Sequence, residues 1–191
     1  MNAFVGNAAA YDRYRPGVPP DVGHILVQAV NRDVAATTLL DVGTGTGQAI
    51  ESLHAFFADI TAVDPDGEML ALAERKLRGR VARSTALRLW RGRIEDFEPP
   101  PGWKASLVTF CRSFHWVDQP RVLLQLADVV APGGVIAVLS DRSFWTAAND
   151  WQIAPVFPSA FRAAAVPAAA RSTVRARQSA RHVASVRQLA G

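Results

Sequence analysis

One short stretch, residues 39–48, constrains the fold of this chain more than any other. Two leucines lead into Asp41, and glycines follow at three alternate positions before a helical pattern begins: Gly43, Gly45 and Gly47. Glycine permits sharp turns and lets a ligand approach the main chain closely. A helix that starts just after such a turn directs its unpaired N–H groups at that ligand. The stretch therefore predicts a strand, a turn and a helix that together bind a nucleotide-type cofactor.

The spacing of the glycines bears on which cofactor binds. The dinucleotide fingerprint G-x-G-x-x-G needs its third glycine where this chain has Gln48. Asp41 stands two residues before the first glycine, where its carboxylate would repel a pyrophosphate and suit a ligand that carries an ammonium group. S-adenosylmethionine (SAM) has an ammonium, a carboxylate, a sulfonium and an adenosine. These residues favour SAM and disfavour a nicotinamide cofactor.

A second acidic residue follows at the end of the next predicted strand. Residues 60–63 are apolar apart from one threonine, and Asp64 comes 21 residues after Gly43. That distance fits one strand–helix–strand unit, in which a carboxylate at the end of the second strand holds both ribose hydroxyls. Glycine-rich turns and aspartates at strand ends also occur without a ligand. The combined spacing of Asp41, the glycines and Asp64 favours a ligand site.

Apolar segments alternate with helical patterns along most of the chain. Apolar residues spaced as on one helix face predict helices at 21–31, after the glycine turn, near 69–77 and at 119–130. Five strands are predicted between the helices, at 38–42, 60–63, 86–90, 106–110 and 135–139, and the fourth is nearly all apolar, as expected for a buried parallel strand. The alternation predicts an α/β fold with a Rossmann-like, doubly wound and mostly parallel sheet. Its ligand is expected at the carboxyl ends of the strands.

The last part of the chain differs from the rest in composition. Residues 159–191 contain six arginines and no acidic residue, whereas residues 1–158 carry 15 basic and 17 acidic side chains. The apolar residues of this tail are too sparse for two further buried strands, so the sequence predicts a sheet that ends with an open edge at the fifth strand. Three explanations fit the tail: a shifted reading frame, a helix that covers this edge alone or across a homodimer, and a basic arm for nucleic acid.

Three regions follow from these patterns: an N-terminal arm at 1–20, a cofactor-binding domain at 21–158 and an Ala/Arg-rich tail at 159–191. Hydrophobic residues make up 49% of the chain and charged residues 20%, which is typical of a globular domain. Cys111 is the sole cysteine, so no disulfide forms within the chain. Neither a signal peptide nor a long apolar run is found, and we expect a cytoplasmic protein with no membrane partner. The histidines lack metal-ligand spacing, so no metal is expected.

Five further motifs make the chain resemble the class I SAM-dependent methyltransferases over residues 11 to about 140. Three resemble that family's later cofactor motifs: DPDGEML at 64–70, GRIEDF at 92–97 and APGGVIAV at 131–138. Two resemble a subgroup of small-molecule methyltransferases sometimes called type 11: YDRYRP at 11–16 and SFHWVD at 113–118. The motifs are specific for SAM binding and much less specific for the methyl acceptor. The family usually completes its sheet with two strands that are not evident in this sequence.

The resemblance implies which residues surround the cofactor. Asp41 would accept a hydrogen bond from the ammonium, directly or through water, and the backbone of the three glycines would line the methionine part. Asp64 would hold the ribose. The other implied contacts are Pro65 and Met69 beside the adenine, Ile94 and Glu95 at its edge, Cys111 and Arg112 beneath the sulfonium, and Tyr14 and Arg15 from an arm that folds over the cofactor. The arm's tyrosines, Tyr11 and Tyr14, would help to exclude water. Tyr14 and Arg15 also fit a simpler role, in which they anchor the arm on the domain.

Two positions carry more than one interpretation. Arg93 stands where many members of the resembling family have a small or acidic residue, so it would crowd the adenine if it turned inward and would be harmless in solvent. His115 follows the fourth strand on the acceptor side and is the candidate catalytic base, because imidazole titrates near neutral pH. The same His115, between Phe114 and Trp116, also fits a packing element.

The sequence leaves three functions open. The favoured one is a SAM-dependent methyltransferase that acts on a small-molecule acceptor. A SAM-binding protein with impaired catalysis would also fit, because the last strands of the family's sheet are not evident. A nucleic-acid modifier anchored by the basic tail is the third. No Asn-Pro-Pro-Tyr-like element follows the fourth predicted strand, so we do not expect nucleic acid as the partner.

Overall fold

Six strands and five helices make up the described part of the chain. The computed structural model describes residues 6–15, 17–30 and 38–140, and the backbone of residues 162–167. The strands are β1 (Thr38–Val42), β2 (Asp59–Asp64), β3 (Ala86–Arg91), β4 (Ala105–Cys111), β5 (Val130–Ser140) and β6 (Arg162–Pro167). The helices are α1 (Ala8–Tyr14), α2 (Pro20–Ala29), α3 (Gln48–Leu53), α4 (Gly67–Leu77) and α5 (Gln119–Val129). None of the helices in this described part is long and apolar enough to cross a membrane.

The strands form one sheet in the order β3-β2-β1-β4-β5-β6, and the first five are parallel. This arrangement confirms the predicted Rossmann-like, doubly wound sheet and its five strands. The chain moves outward from β1 to β3 and then crosses to the other side of β1 to form β4. A crevice therefore opens between the carboxyl ends of β1 and β4, which is where such sheets bind ligands.

Apolar side chains cover both faces of the sheet. Successive strand residues point to opposite faces, so Leu39 and Leu40 of β1 belong to different cores. On one face the core includes residues of α2, α3 and α4, among them Leu26, Ile50, Leu53, Ala73 and Leu77. On the other face it includes residues of α5, among them Val122, Leu126 and Val129. The two cores hold the strand ends of the crevice rigidly between helices.

Two aspartates determine where helices next to the crevice begin. Asp66 precedes α4, and its Oδ1 accepts hydrogen bonds from the N–H groups of Glu68 at 2.9 Å and Met69 at 3.2 Å. Asp118 precedes α5 and accepts from the N–H of Arg121 at 3.3 Å. Such caps satisfy N–H groups that have no partner inside the helix. Because α4 starts three residues after β2 ends, the cap also fixes the chain around the end of β2.

Strand β6 departs from the sequence analysis, which ended the sheet at the fifth strand. It pairs antiparallel with β5, with Val135 opposite Pro167 and Ser140 opposite Arg162. The edge of β5 offers unpaired backbone groups, and pairing with them overrides the weak strand preference of an alanine-rich segment. The edge of β5 is therefore covered by this chain itself. The rest of the predicted tail, residues 159–161 and 168–191, lies outside the described residues.

Candidate functional site

The glycine turn, residues 43–47, joins β1 to α3 at the carboxyl edge of the sheet. Gly43, Gly45 and Gly47 have φ angles of +67°, +55° and +83°, in the left-handed region that other residues rarely adopt. The N–H groups of the first two turn residues both donate to the carbonyl oxygen of Val63, at 2.8 and 3.1 Å. These bonds fasten the turn to the end of β2.

Asp41 lies beneath the glycine turn and is only 1% exposed. Its Oδ2 accepts a hydrogen bond from the hydroxyl of Thr44, and its Oδ1 accepts one from the hydroxyl of Thr109, each at 2.6 Å. Burial raises the pKa of Asp41 to about 6, although the two hydroxyl bonds oppose the rise. Both carboxylate oxygens are thus engaged within the protein. The contact of Asp41 with an ammonium group stays a prediction.

Asp64 connects the end of β2 to the glycine turn. Its Oδ2 accepts a hydrogen bond from the N–H of Gly45, and its Oδ1 accepts one from the N–H of Asp66, each at 2.8 Å. Burial raises the pKa of Asp64, while these two backbone bonds act in the opposite direction. The carboxylate is therefore fixed at the crevice by two backbone donors, and its contact with a ribose stays a prediction.

A pocket opens between the glycine turn, α1 and the end of β4, with a volume of about 250 Å³ that includes the solvent at its mouth. It is lined by Tyr11, Gly43, Thr44, Gly45, Thr46, Gln48, Ala49, Cys111 and Arg112. Four of the predicted site residues are among them: Gly43, Gly45, Cys111 and Arg112. The other predicted residues do not line it: Asp41, Gly47, Asp64, Pro65, Met69, Ile94, Glu95, Tyr14, Arg15 and His115.

Arg112 adopts an unusual conformation at the edge of this pocket. Its φ is +59°, and it is the single non-glycine residue in the described part of the chain with a positive φ. Its backbone N–H donates to the carbonyl of Leu139 at 2.7 Å, and its guanidinium donates to Oε1 of Gln48 at 3.2 Å. Strained backbone of this kind persists where the surroundings hold it, and it is concentrated at functional sites.

The N-terminal arm lies against the glycine turn through α1. Oγ1 of Thr46 donates to Oδ1 of Asp12 at 2.7 Å, and Nε2 of Gln48 donates to the carbonyl of Arg15 at 3.2 Å. Tyr11 lines the pocket, whereas Tyr14 is 77% exposed. The guanidinium of Arg15 stacks over the ring of Tyr11 at 5.6 Å. The arm therefore lies against the glycine turn, with Tyr11 in the pocket wall, and the contacts of Tyr14 and Arg15 with a cofactor stay predictions.

The residues predicted to surround adenine lie along the ends of β2 and β3. Met69 and Ile94 are buried and Pro65 is exposed. Glu95 accepts from the backbone N–H of Asp118 at 2.9 Å and from the guanidinium of Arg93 at 3.2 Å. Burial alone would raise the pKa of Glu95, but these bonds hold it below its ordinary value. Glu95 thus ties the turn at Ile94–Asp96 to the start of α5.

Arg93 does not turn toward the core. Its side chain is 63% exposed and forms an ion pair with Glu95. Pairing with that carboxylate raises the pKa of the guanidinium. Arg93 therefore lies in solvent, where it does not crowd the adenine position.

His115 is exposed in the 3-10 turn Phe114–Trp116. Its ring lies against that of Trp116, with centroids 4.8 Å apart, and Trp116 is itself exposed. Phe114 packs instead on Phe110 of β4, with centroids 5.1 Å apart. The turn is thus anchored by Phe114, while the catalytic role of His115 stays a prediction.

Several residues of the site were missed from the sequence: Gln48 in the pocket wall, Thr44 and Thr109 on Asp41, and Thr46 and Asp12 between the turn and the arm. One signal could have identified Thr109, because it and Ser106 are the two hydroxyl residues of the buried and largely apolar β4, and Thr109 lies directly opposite Asp41 in the strand register. Within residues 6–15, 17–30 and 38–140, no group of three or more His, Cys, Asp or Glu side chains is placed to hold a metal ion.

The sheet and the glycine turn define a class of protein: a Rossmann-like domain with a nucleotide-type cofactor site at the carboxyl ends of its strands. Residues 40–138 match the model of a protein family described as the methyltransferase domain. This match spans just over half of the chain. The chain therefore belongs to the methyltransferase domain family, and the resemblance to class I SAM-dependent methyltransferases is confirmed.

Individual relatives agree with this assignment. An uncharacterized methyltransferase of Mycobacterium tuberculosis is 34% identical over 140 residues, which are 73% of this chain and 52% of the relative. The crystal structure of a SAM-dependent methyltransferase from Clostridium acetobutylicum is 25% identical, with a TM-score of 0.57, over 73% of this chain and 58% of that one. The chain spans about half the length of the curated relatives it matches.

A second solved structure, of a SAM-bound amino pentose methyltransferase from Micromonospora echinaspora, is 26% identical, with a TM-score of 0.53. The similarity covers 72% of this chain and 56% of that chain. That relative holds SAM on the same kind of sheet, which agrees with SAM as the cofactor of the family.

Proposed function

We propose that this chain binds SAM at the glycine turn and transfers its methyl group to a small-molecule acceptor. The observation that carries the proposal is the joint geometry of Asp64 and Gly45. Oδ2 of Asp64, at the end of β2, accepts a hydrogen bond from the N–H of Gly45, which has a positive φ in the turn after β1. Both residues lie beside the crevice between β1 and β4. This arrangement places an acceptor for ribose hydroxyls next to backbone that a ligand can approach closely.

The space around the turn supports the fit of SAM. A Cβ added at Gly43 would lie far inside van der Waals contact of the Cβ of Ser113, and one added at Gly47 would lie 3.0 Å from Leu77. A Cβ added at Gly45 would have nothing closer than a ring carbon of Tyr11, at 4.0 Å. Two glycines are thus required by packing inside the protein. Gly45 faces the open side, where the backbone is available to a ligand.

SAM, when bound, supplies a methyl group on a sulfonium, and in the transfer the carbon–sulfur bond breaks as a bond to the acceptor forms. The sulfonium is already an activated leaving group, so the protein contributes mainly the alignment of donor and acceptor. Such alignment can account for about 7–11 kcal/mol of a barrier. In this proposal the turn, Asp41 and Asp64 fix the cofactor. Cys111 and Arg112, at the end of β4, lie beneath the sulfonium end of the cofactor.

The remaining contacts are proposed from the same positions. Pro65 and Met69 flank the adenine, and the N–H of Ile94 meets its edge. The carboxylate of Glu95 also meets the edge of the adenine, and it is held in place by hydrogen bonds from Arg93 and from the backbone N–H of Asp118. Arg15 and Tyr14 belong to the arm that covers the cofactor.

His115 is proposed as the base for acceptors that must lose a proton. It stands on the strand-end side of the crevice and is accessible to a bound acceptor. The proposal requires the acceptor to reach from the pocket to the turn at residues 114–116. Replacement of His115 by Gln should lower the rate of turnover and leave affinity for SAM unchanged, since His115 does not line the pocket.

A second candidate function is SAM binding without turnover. The observation that favours it is the position of His115, because this proposed base does not line the pocket. This candidate predicts the same affinity for SAM and no methyl transfer to any acceptor.

Isothermal titration calorimetry with SAM, S-adenosylhomocysteine and NADH tests the proposed cofactor. We expect saturable binding of both SAM ligands and none of NADH. Binding should be lost in the Asp64→Ala variant, whose folding is checked by circular dichroism. A folded wild-type chain that binds neither SAM ligand would overturn the proposal, and binding of NADH alone would assign the site to a different class of enzyme.

The proposal includes a cytoplasmic location and a small-molecule acceptor, and it excludes nucleic acid as the partner. A titration with duplex DNA and with RNA at low salt checks whether the chain binds nucleic acid.

Because β5 pairs with β6 of the same chain, a homodimer is not needed to cover this edge of the sheet. Sedimentation at several concentrations would measure whether a homodimer forms.

The free energy of unfolding should depend on the charge of Asp41. Because burial raises its pKa from 3.8 to about 6, the native state keeps a proton that the unfolded state loses. The contribution of this proton to the free energy of unfolding is fully present below about pH 4. It is lost as the pH rises through about 6. In Asp41→Asn the loss is absent. The variant should match the wild type near pH 4 and exceed it by about 3 kcal/mol above pH 6.

Urea denaturation between pH 4 and 7.5 measures this difference. Thr109→Val supplies the matched variant, because the hydroxyl of Thr109 lowers the pKa of Asp41. Without this hydroxyl the pKa of Asp41 should rise further, so the loss of stability should extend to higher pH. A constant difference between wild type and Asp41→Asn over this range would contradict the prediction. The stabilised Asp41→Asn variant should bind SAM more weakly, since it lacks the charge that faces the ammonium.

A further inference from the structure

Asp12 belongs to a sequence motif, yet the proposed function gives it no role. Its Oδ1 accepts two hydrogen bonds, from Oγ1 of Thr46 at 2.7 Å and from Nζ of Lys76 at 2.6 Å. Thr46 lies within the glycine turn and is 1% exposed, and Lys76 lies in the last turn of α4. One carboxylate oxygen of the arm therefore joins the turn to α4.

The bond between Asp12 and Lys76 is partly shielded from solvent. The two side chains are 25% and 19% exposed, so the ion pair is screened less than a pair on the open surface. Burial alone would raise the pKa of Asp12, but the bonds from Lys76 and Thr46 hold it below its ordinary value, which is consistent with a carboxylate. Lys76 also donates to Glu51 of α3 at 3.2 Å. The arm is thus tied to a charged network on two helices.

This network sits next to the residue of α1 that closes the pocket. Tyr11 precedes Asp12 in the chain, lines the pocket and lies over Gly45. Just after α1 ends, the carbonyl of Arg15 accepts from Nε2 of Gln48 of α3. The C-terminal half of this short helix is thus fastened to the glycine turn, α3 and α4 through Asp12 and Arg15, and the position of the Tyr11 ring depends on these bonds.

We propose that Asp12 is a positioning residue that fastens the arm to the glycine turn through Thr46 and Lys76 and thereby retains the cofactor in its pocket. This inference rests on the proposed function, because it takes the pocket to be the SAM site. Asp12 itself touches no cofactor atom in this account. It acts through Tyr11, which forms one wall of the pocket. Loss of the Asp12–Lys76 pair should therefore speed the escape of a bound ligand more than it slows its entry.

The test is the dissociation rate of S-adenosylhomocysteine from the full chain, measured by surface plasmon resonance. Asp12→Asn keeps the side-chain shape and an acceptor for Thr46 but removes the charge that faces Lys76. The dissociation rate should rise about tenfold, which corresponds to about 1.4 kcal/mol. The association rate should change less than threefold. Lys76→Met should give a similar rise, and the double variant should give no more than either single variant, because both remove the same pair.

Arg88→Gln is the matched control. Arg88 of β3 pairs with Asp59 at the amino end of β2, away from the crevice. This variant also removes one partly exposed ion pair, and it should leave the dissociation rate unchanged. An equal rise in Arg88→Gln, or a rate within twofold of wild type in Asp12→Asn, would overturn the inference while the proposed function stands. A wild-type chain that does not bind S-adenosylhomocysteine would instead overturn the proposed function and this inference with it.

Hydrogen exchange provides a readout that needs no ligand. The N–H groups of Tyr11 and Arg15 are bonded within α1, to the carbonyls of Asn7 and Tyr11, at 2.8 and 2.9 Å. In Asp12→Asn these amides should exchange faster, while those of β1 and β4 keep the wild-type rate. Unchanged exchange in residues 8–15 would show that the pair does not hold the arm.

Discussion

Replacement of Gly43 by alanine should lower the free energy of unfolding by about 3 kcal/mol or more. A left-handed conformation costs a residue with a Cβ about 1–2 kcal/mol. The new methyl group would also overlap the Cβ of Ser113, and forced overpacking of this kind costs about 1–3 kcal/mol. Ser113 has little freedom to retreat, because it is buried and its hydroxyl donates to the carbonyl of Val42 at 2.5 Å. Urea denaturation measures the change.

The same substitution at Gly45 is the control for backbone strain alone. Gly45 also has a positive φ, but an added Cβ would meet nothing within 4 Å except a ring carbon of Tyr11 at the limit of contact. Gly45→Ala should therefore cost only about 1–2 kcal/mol. In a Ser113→Gly background, the cost of Gly43→Ala should fall to the same value, since the overlapping atom is gone. Equal costs for both glycines in the wild-type background would contradict this account.

Replacement of Asp64 by asparagine should weaken the binding of S-adenosylhomocysteine at least about 100-fold. The shape of the side chain is kept, and its amide oxygen can still accept from one of the two backbone N–H groups that Asp64 binds, whereas the amide nitrogen cannot accept from the other. The variant loses the charge that strengthens bonds from two ribose hydroxyls, and each bond to a charged group contributes about 1.5–3 kcal/mol. A loss of about 3 kcal/mol in total corresponds to that factor. Isothermal titration calorimetry on the folded variant measures it.

Asp66→Asn provides a comparison two residues away. Asp66 caps α4 through its side chain, and its backbone N–H still donates to Asp64 in the variant. Its replacement should cost up to about 1 kcal/mol of stability and change affinity less than fivefold. If both variants weakened binding equally, the effect would belong to the loop as a whole and not to the carboxylate of Asp64.

The sheet could be predicted from the sequence because its signals are local. Four of the five parallel strands contain a short, largely apolar run, while β3 alternates apolar residues with arginines, and each boundary lies near a charged or turn residue. Strand β6 gives no such signal: the segment Arg162–Pro167 is mostly alanine, and it becomes a strand because β5 offers a partner. Pairing of that kind depends on the position of another strand, which local composition does not encode.

The same distinction between local and long-range signals applies to the residues of the candidate site. The glycine turn and Asp64 could be predicted, since their spacing follows from one strand–helix–strand unit. The partners of Asp41 could not, because Thr109 is brought to it by the pairing of β1 with β4 across 68 residues of chain. The bonds of Asp12 to Thr46 and Lys76 likewise need the arm to lie against two helices far along the sequence. Long-range polar contacts are set by the fold and have no periodicity to detect.

The central position of β1 has a consequence for how the chain folds. Its neighbours are β2, which follows after one helix, and β4, which follows after two more crossings of the sheet. To pair β1 with β4, the chain must first lose the conformational entropy of the long segment between them, before any contact between the two strands is gained. Long-range pairings of this kind slow folding. The support beneath the glycine turn, with Thr109 bonded to Asp41, is therefore completed only after β4 docks. We therefore expect the cofactor site to be completed late in folding, whereas β6 pairs with β5 across a shorter separation in sequence.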